Sequence, residues 1–388
     1  MIAQKPPLSA PPPHAEWRSV DAMAAEHAAW DALCDAAASP NIFARPHMVL
    51  PAAAALGDAA GGGEGLDFLT IRSGDTLLGI LPVTRMTRFG RLPIPIWADW
   101  LHPNSFLSPI VIRSGAEILF WQTVIAALTE RGGGRFLHIQ AIPEQGAAAQ
   151  ALVEAARIAR LPHAIESRHQ RAFCADPGAA GAYWDANVRP KKRKELRRQW
   201  NRLGEMGALE TRVLAPDQSH ADWIDEFLRL EASGWKGRGG SAIASAPGTR
   251  DFFTQAVTQS AARGAALLTS LTIDGRAIAM LATLRDGDGA FSFKTAFDED
   301  FARFSPGVLL QRESLNRFAD VGGLRWVDSC AAEHHPMIDS LWAERRTICT
   351  IACALPGTIN HLHWRGAHGA MRIWHAIKGV RPRQKDAT

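Results

Sequence analysis

Residues 291–318, FSFKTAFDEDFARFSPGVLLQRESLNRF, decide the fold. Residues 290–298 (AFSFKTAFD) read as a strand, and a short connector leads from Asp298 to Ser305-Pro306-Gly307. From Val308 apolar residues recur at helical spacing as far as residue 321. Pro306 suits the first position of a helix, and Ser305 before it is placed to accept a hydrogen bond from an early N–H. Gly307 lets a ligand approach the main chain. Unbonded N–H groups and the positive end of the helix dipole make such a start an anion seat. An ordinary capped helix carries the same signals, so the neighbouring elements have to decide.

Upstream, residues 223–235 and 252–262 are helical, and Asp274-Gly275 folds 266–273 and 276–284 into a hairpin. Downstream, Gly322-Gly323 stops the helix and residues 324–331 form a further strand. The first half shows the same order. Residues 17–37 are patterned as a helix, 66–72 and 76–86 as a hairpin about Ser73-Gly74-Asp75, and 116–130 as a helix. Three glycines, a strand over 136–142 and an alanine-rich helix over 145–160 follow. LDFLTIRSGDTLLGILPVT (66–84) resembles LLTSLTIDGRAIAMLATLR (267–285), and RGGGRFLHIQAI (131–142) resembles DVGGLRWVDSCA (320–331). A hairpin and a glycine-led strand in the same order twice indicate a diverged duplication. The expected organisation is a disordered proline-rich lead-in (1–16), two lobes (17–180 and 181–360) and a basic amphipathic tail (361–388).

This order resembles the GNAT acetyltransferase fold. Residues 185–347 are more specifically similar to a GNAT-related family associated with cellulose biosynthesis and related to Fem-type peptidyltransferases. The resemblance rests on Lys192-Arg193-Lys194 with Leu196-Arg197-Arg198 and Leu203, then Leu230-Glu231 and Trp235-Lys236-Gly237-Arg238. It continues through Leu271, Asp274-Gly275 and Ile278-Ala279, and is strongest from Phe293-Lys294-Thr295-Ala296-Phe297-Asp298 to Ser305-Pro306-Gly307 and Leu309-Leu310. Asp328 and Trp342 close it. It implies an α/β fold of tandem GNAT-like lobes, with mixed sheets flanked by helices, and an acyl-CoA co-substrate. The pantetheine arm would pair with the strand carrying Phe293, Thr295, Ala296 and Phe297. The diphosphate would sit at Ser305, Pro306, Gly307, Val308, Leu309 and Leu310. The first half has no matching Ser-Pro-Gly element, so it is expected to be a structural or acceptor-binding lobe.

Acyl transfer to an amine requires a held thioester, an ammonium that loses its proton and a stabilised thiolate. His334 or His335 is a reasonable base, and Asp328 either orients it or binds the ammonium. Solvent-exposed loop histidines before Pro336 are the equal alternative. Many relatives carry a Tyr or Lys near here, whereas this chain reads HHPMIDSLW (334–342) and has a single tyrosine, Tyr183. Lys294 and Asp298 have even spacing on one strand and line either the acceptor site or a surface ion pair. Glu231, Lys236 and Arg238 border a glycine-rich loop that is either a lid or a plain connection. Cys330 as a nucleophile has no base placed beside it in the sequence.

The remaining composition narrows the class. A net charge of +4 over 388 residues is too mild to argue for nucleic acid by itself. Five scattered cysteines without a CxxC pair support neither a metal site nor a disulfide framework, and fit a reduced, cytoplasmic protein. The proline-rich start lacks the apolar core of a signal peptide, and the apolar runs 118–128 and 347–356 are too short to span a bilayer. Residues 189–198 (RPKKRKELRR) hold seven basic residues and one acid, a pattern suited to a cofactor's phosphates, an anionic membrane surface, transfer RNA or plain solvent. Residues 359–385 mix Trp364, Met371, Ile373 and Trp374 with many basic residues, as in a membrane-surface helix or one packed on the first lobe. Some bacterial ceramide synthases resemble the same family. That makes a long-chain acyl group and a sphingoid-type lipid amine one expectation, with peripheral contact at an inner membrane surface. An aminoacyl-tRNA-dependent transferase and a non-catalytic binding protein are the alternatives.

Overall fold

A computed structural model describes residues 11–57, 62–178, 181–215, 218–318 and 323–377, the last six as backbone only. Its strands are β1 (Pro13–Arg18), β2 (Glu64–Ser73), β3 (Thr76–Met86), β4 (Ile96–Asp99), β5 (Val111–Ile112), β6 (Phe136–Pro143), β7 (His163–Cys174), β8 (Leu209–Val213), β9 (Ala266–Ile273), β10 (Arg276–Asp286), β11 (Gly289–Phe297), β12 (Trp326–Asp328) and β13 (Glu344–Ala354). Its α-helices are α1 (Val20–Ala25), α2 (His27–Asp35), α3 (Pro46–Leu56), α4 (Glu117–Arg131), α5 (Ala147–Ile158), α6 (Ala182–Asn187), α7 (Pro190–Gly204), α8 (His220–Ser233), α9 (Trp235–Arg238), α10 (Pro247–Ala262), α11 (Pro306–Phe318) and α12 (Thr358–Ile377). Among the described residues no helix is long and apolar enough to cross a membrane.

The chain forms two compact units, neither of which is one continuous piece. The first contains residues up to 46, 58–167 and the chain from 349; the second contains 47–57 and 168–348. The simple halves 17–180 and 181–360 therefore miss an exchange. Helix α3 lies in the first half of the sequence but belongs to the second unit. A Cβ on Gly248, at the start of α10, would sit 2.3 Å from the Ala55 carbonyl of α3, so this contact requires glycine.

Each unit repeats one plan. In the first, β2, β3 and β4 are antiparallel, α4 crosses over, and β6 returns parallel to β4. In the second, β9, β10 and β11 are antiparallel, α11 crosses over, and β12 returns parallel to β11. A helical crossover is the usual way to bring a strand back in parallel. Both parallel pairings last three residues: Ile96–Ala98 against Phe136–His138, and Gly289–Phe291 against Trp326–Asp328. Beyond those points each pair of strands opens into a fork.

One element differs from the sequence reading, and another decides between two readings of the tail. Trp17 does not begin a helix. It lies in β1, which pairs with Phe68–Ser73 of β2, and Ser19 then caps α1 by accepting from the Ala22 N–H. Residues 13–16 of the expected disordered lead-in are thus an edge strand; residues 1–10 lie outside the described residues. Helix α12 buries Trp364 against Phe136 in the first unit, with ring centroids 5.2 Å apart. That matches the packed reading of the tail as far as Met371.

The fork of the first unit is filled by its own chain. Asp99, at the end of β4, is buried and accepts the Gln140 N–H at 2.9 Å, and the Ser108 N–H donates to the Ala141 carbonyl at 3.0 Å. Burial pushes the Asp99 carboxyl up from 3.8 to about 7, against the opposing pull of Ser108 and Gln140. Because the folded value is raised, the stability tied to Asp99 is complete below 3.8 and is lost as the pH climbs through about 7. Asp99→Asn is neutral throughout and should remove that slope, melting progressively higher than the parent as the pH rises through this window. Parallel Tm curves for the two proteins would show that Asp99 is ionised in the folded chain.

Candidate active site

In the second unit the fork is built differently. Past Phe291, residues 292–297 of β11 have strand partners only in β10, among the described residues. The register also slips there: Ala282 faces Lys294, while the next residue, Thr283, faces Ser292. Phe293 is therefore an extra residue, a bulge of the kind that re-aims side chains next to active sites. Its ring continues an aromatic stack running from Trp223 through Phe227 and Phe253, with successive centroids 5.3, 5.0 and 6.1 Å apart. Ser292 and Thr295 both reach Gln311 of α11, at 3.4 and 3.3 Å. Ala296 is buried and Phe297 half-buried.

At the start of α11 the structure revises the expected cap. Ser305 adopts a left-handed conformation, with φ 53°. Its hydroxyl accepts from Gln199 of α7 at 3.4 Å, and its carbonyl accepts the Val308 and Leu309 N–H groups at 2.9 and 3.1 Å. Pro306 has no N–H, so this end presents fewer donors to an anion than an unmodified helix start. A Cβ on Gly307 would lie 3.2 Å from Met337 Sδ and 3.6 Å from Phe297. Val308, Leu309 and Leu310 are buried in the core and anchor the helix. Arg189, Lys191, Lys194, Arg197, Arg198 and Arg202 on and beside α7 are exposed, whereas Lys192 pairs with Glu195 at 3.4 Å and Arg193 with Asp185.

A charged cluster surrounds Lys294. Burial pushes its ammonium down to about 8, helped by the charge of Lys236 and opposed by Glu231 and Cys330. Lys236 of α9 pairs with the buried Glu231 of α8 at 2.7 Å. His335 is half-buried and held below its ordinary value by burial, which outweighs the nearby Asp339. These groups come from α8, α9, β11 and the loop after β12. No spacing in the sequence links them, and Glu231 and Lys236 were legible only as neighbours of a glycine-rich loop. Among the described residues, no group of three or more His, Cys, Asp and Glu is assembled as a metal-binding set.

Three sequence candidates, and the single tyrosine, sit elsewhere. His334 is in a left-handed turn with its side chain 85% exposed, as in the solvent-loop reading. Asp298 caps the next turn by accepting the Asp300 N–H at 3.0 Å and pairs with Arg276. Tyr183 donates to Glu344 and accepts the Ala343 N–H at 2.8 Å. Cys330 is buried, and burial raises its thiol far above the thiolate range.

Asp328 requires a fuller correction. It is completely buried, and both oxygens are engaged: Arg171 lies at 2.7 Å, Arg346 at 2.9 Å, and the Cys330 N–H donates at 2.9 Å. Burial opposes its ionisation, but the two guanidinium groups prevail and hold the carboxyl below its ordinary value. This carboxylate ties β7, β12 and β13 together and has no lone pair directed at a substrate ammonium or at His334. Removing one member of such a cluster strands a buried charge. Asp328→Asn should therefore lose about 3–5 kcal/mol of stability in denaturant titration, and the surviving folded fraction should keep its activity per molecule.

Residues 190–335 match the acetyltransferase (GNAT) domain family. No curated protein matches the chain significantly. The fold is similar to that of FemX at 8% identity, with a TM-score of 0.59 over 90% of this chain and 99% of that one. It is also similar to the C-terminal domain of a candidate lysylphosphatidylglycerol synthetase from Agrobacterium fabrum (15% identity, TM-score 0.52, 89% of this chain and 96% of that one). A conserved Bacteroides thetaiotaomicron protein of unknown function aligns at 10% identity, with a TM-score of 0.51 over 85% of this chain and 97% of that one. The open strand fork, the helix that follows it and the family match agree: residues 190–335 are a GNAT acetyltransferase domain, and this part of the chain is a GNAT-type N-acyltransferase.

Proposed function

We propose that the protein moves an acyl group from a coenzyme A thioester to a primary amine. The observation that carries this reading is the bulged strand β11, followed after residues 298–305 by the Pro306-Gly307 helix start. A pantetheine arm is a chain of amides, and the side of β11 that β12 leaves after Phe291 is where such a chain would run alongside as a further strand. The diphosphate then lies at the main chain of Ser305–Leu310, where Gln199 of α7 donates to the Ser305 hydroxyl.

In the reaction the acceptor ammonium gives up a proton, its nitrogen attacks the thioester carbonyl, the C–S bond breaks and the thiolate takes a proton. Lys294 is the leading base, because its depressed pKa supplies neutral amine just above neutrality. His335, neutral at the same pH, is the second. A long-chain acyl group and a lipid amine remain one choice of substrate. The exposed cations of α7 favour a second reading, an aminoacyl-tRNA donor.

Thermal shift with acyl-CoAs from acetyl to palmitoyl, free CoA and deacylated tRNA separates these readings. Acyl-CoA should raise Tm, and the increment should vanish in Gly307→Trp, whose side chain must displace Met337 at the helix start. Comparing increments rather than absolute Tm allows for the strain of that change. Stabilisation by tRNA alone would replace the CoA donor with the tRNA one. With a responsive donor, kcat/KM should climb with pH to a plateau above about 8. Lys294→Met should lower it by about 10²-fold or more and flatten the climb. A climb that survives in Lys294→Met and disappears in His335→Asn would move the base to His335.

A further inference from the structure

We propose that Glu231 is the seat for the acceptor's ammonium, and that Lys236 occupies this seat as an internal placeholder until an acceptor arrives. The proposal rests on the amine-acceptor reading above and names the group that would recognise the amine.

Glu231 lies in the last turn of α8, and its two oxygens have different partners. One accepts the Ile243 N–H at 2.8 Å, which fixes the carboxylate in place. The other meets the Lys236 ammonium at 2.7 Å. The two side chains differ sharply in exposure, 3% for Glu231 and 30% for Lys236. The carboxylate is thus part of the interior, while its cation reaches in from the solvent side. A buried carboxylate in such a place must be matched by a positive charge. A lysine ammonium and a primary alkylammonium are the same group chemically, so one can replace the other without changing the charge or the hydrogen bonds.

The segment that carries Lys236 is short, and the Lys236 carbonyl accepts the Ser241 and Ala242 N–H groups at 2.8 and 3.1 Å. Helix α9 is four residues long, follows Gly234, and exposes 58% of Trp235. Its other anchor is Glu299, which accepts the Trp235 N–H and pairs with Arg238 at 2.6 Å on the outer side. The seat also lies where the chemistry needs it. Lys294 on the β11 bulge feels the charges of both Glu231 and Lys236. An ammonium held at Glu231 in place of Lys236 therefore lies within electrostatic reach of the amine that would take its proton.

The first test needs no substrate. Lys236→Ala leaves Glu231 without its cation, and n-butylammonium chloride should raise the Tm of this variant above its value in sodium chloride or tetramethylammonium chloride at equal ionic strength. The rise should be smaller in the parent, where the ammonium has to displace Lys236, and absent in Lys236→Ala/Glu231→Gln. No selective rise, or the same rise in the double variant, overturns the proposal. The second test uses whichever acyl-CoA stabilises the protein, with n-butylammonium and longer primary amines beside hydroxylamine, which is uncharged near neutrality. Glu231→Gln should lower kcat/KM for the cationic amines at least about tenfold, the loss of one charge-assisted hydrogen bond, while sparing hydroxylamine and the donor KM. Equal loss with both kinds of nucleophile would make Glu231 only an anchor for the loop and overturn its role as a seat. If no acyl-CoA binds, the donor reading falls, and the butylammonium rescue still decides the seat. If the donor binds and the rescue fails, only the seat is lost.

Discussion

A strand in the middle of a protein cannot leave its main chain unpaired, and that constraint organises both units. Each brings a parallel strand back beside the third strand of its meander, and each lets the pair separate after three residues. Separation leaves amide groups that something must satisfy. In the first unit the answer is internal: the Asp99 carboxyl and the backbone of Ser108 bond to Gln140 and Ala141. In the second, β11 bulges at Phe293 and past Phe291 has strand pairing only with β10, among the described residues. One plan thus gives two forks finished differently, and the difference lies in a few residues beyond the point of separation.

Two charged clusters in the second unit divide the remaining work. Arg171 and Asp328 are buried and Arg346 half-buried, a set in which two cations more than neutralise one carboxylate. It locks strand ends together and is closed to ligands. Glu231, Lys236 and Lys294 form a half-open set with the same charge count, but its cations sit on a bulge and on a four-residue helix. The electrostatics are similar, but the elements carrying the charges differ: strands and a strand end in the first case, a strand bulge and short or terminal helical turns in the second.

Much of the second unit was legible in the sequence because its signals are local. Asp274 and Gly275 both have positive φ, which is why the dipeptide announces the β9–β10 hairpin. Pro306 marks the first residue of α11, as its fixed φ dictates. What stayed hidden depends on distant partners. Trp17 turns into a strand because the edge of β2, some fifty residues on, pairs with it. Asp328 reads like a cleft residue until Arg171, 157 positions earlier, is placed against it. The bulge at Phe293 is a matter of register between two strands and leaves no mark in the composition of either.

The exchange of α3 and the two straddling strands also governs how the chain can be made. The path changes unit at residues 46/47, 57/58, 167/168 and 348/349. As the chain emerges from the N-terminal end, the first unit lacks its closing strand until residues 349–354 appear, after the whole second unit has been synthesised. The second unit, in turn, needs a helix made near the start. Neither can complete its core during synthesis independently of the other, and cutting the chain near residue 180 would leave each fragment without a piece of its own interior. The two repeats of one plan are in this way interleaved along the sequence.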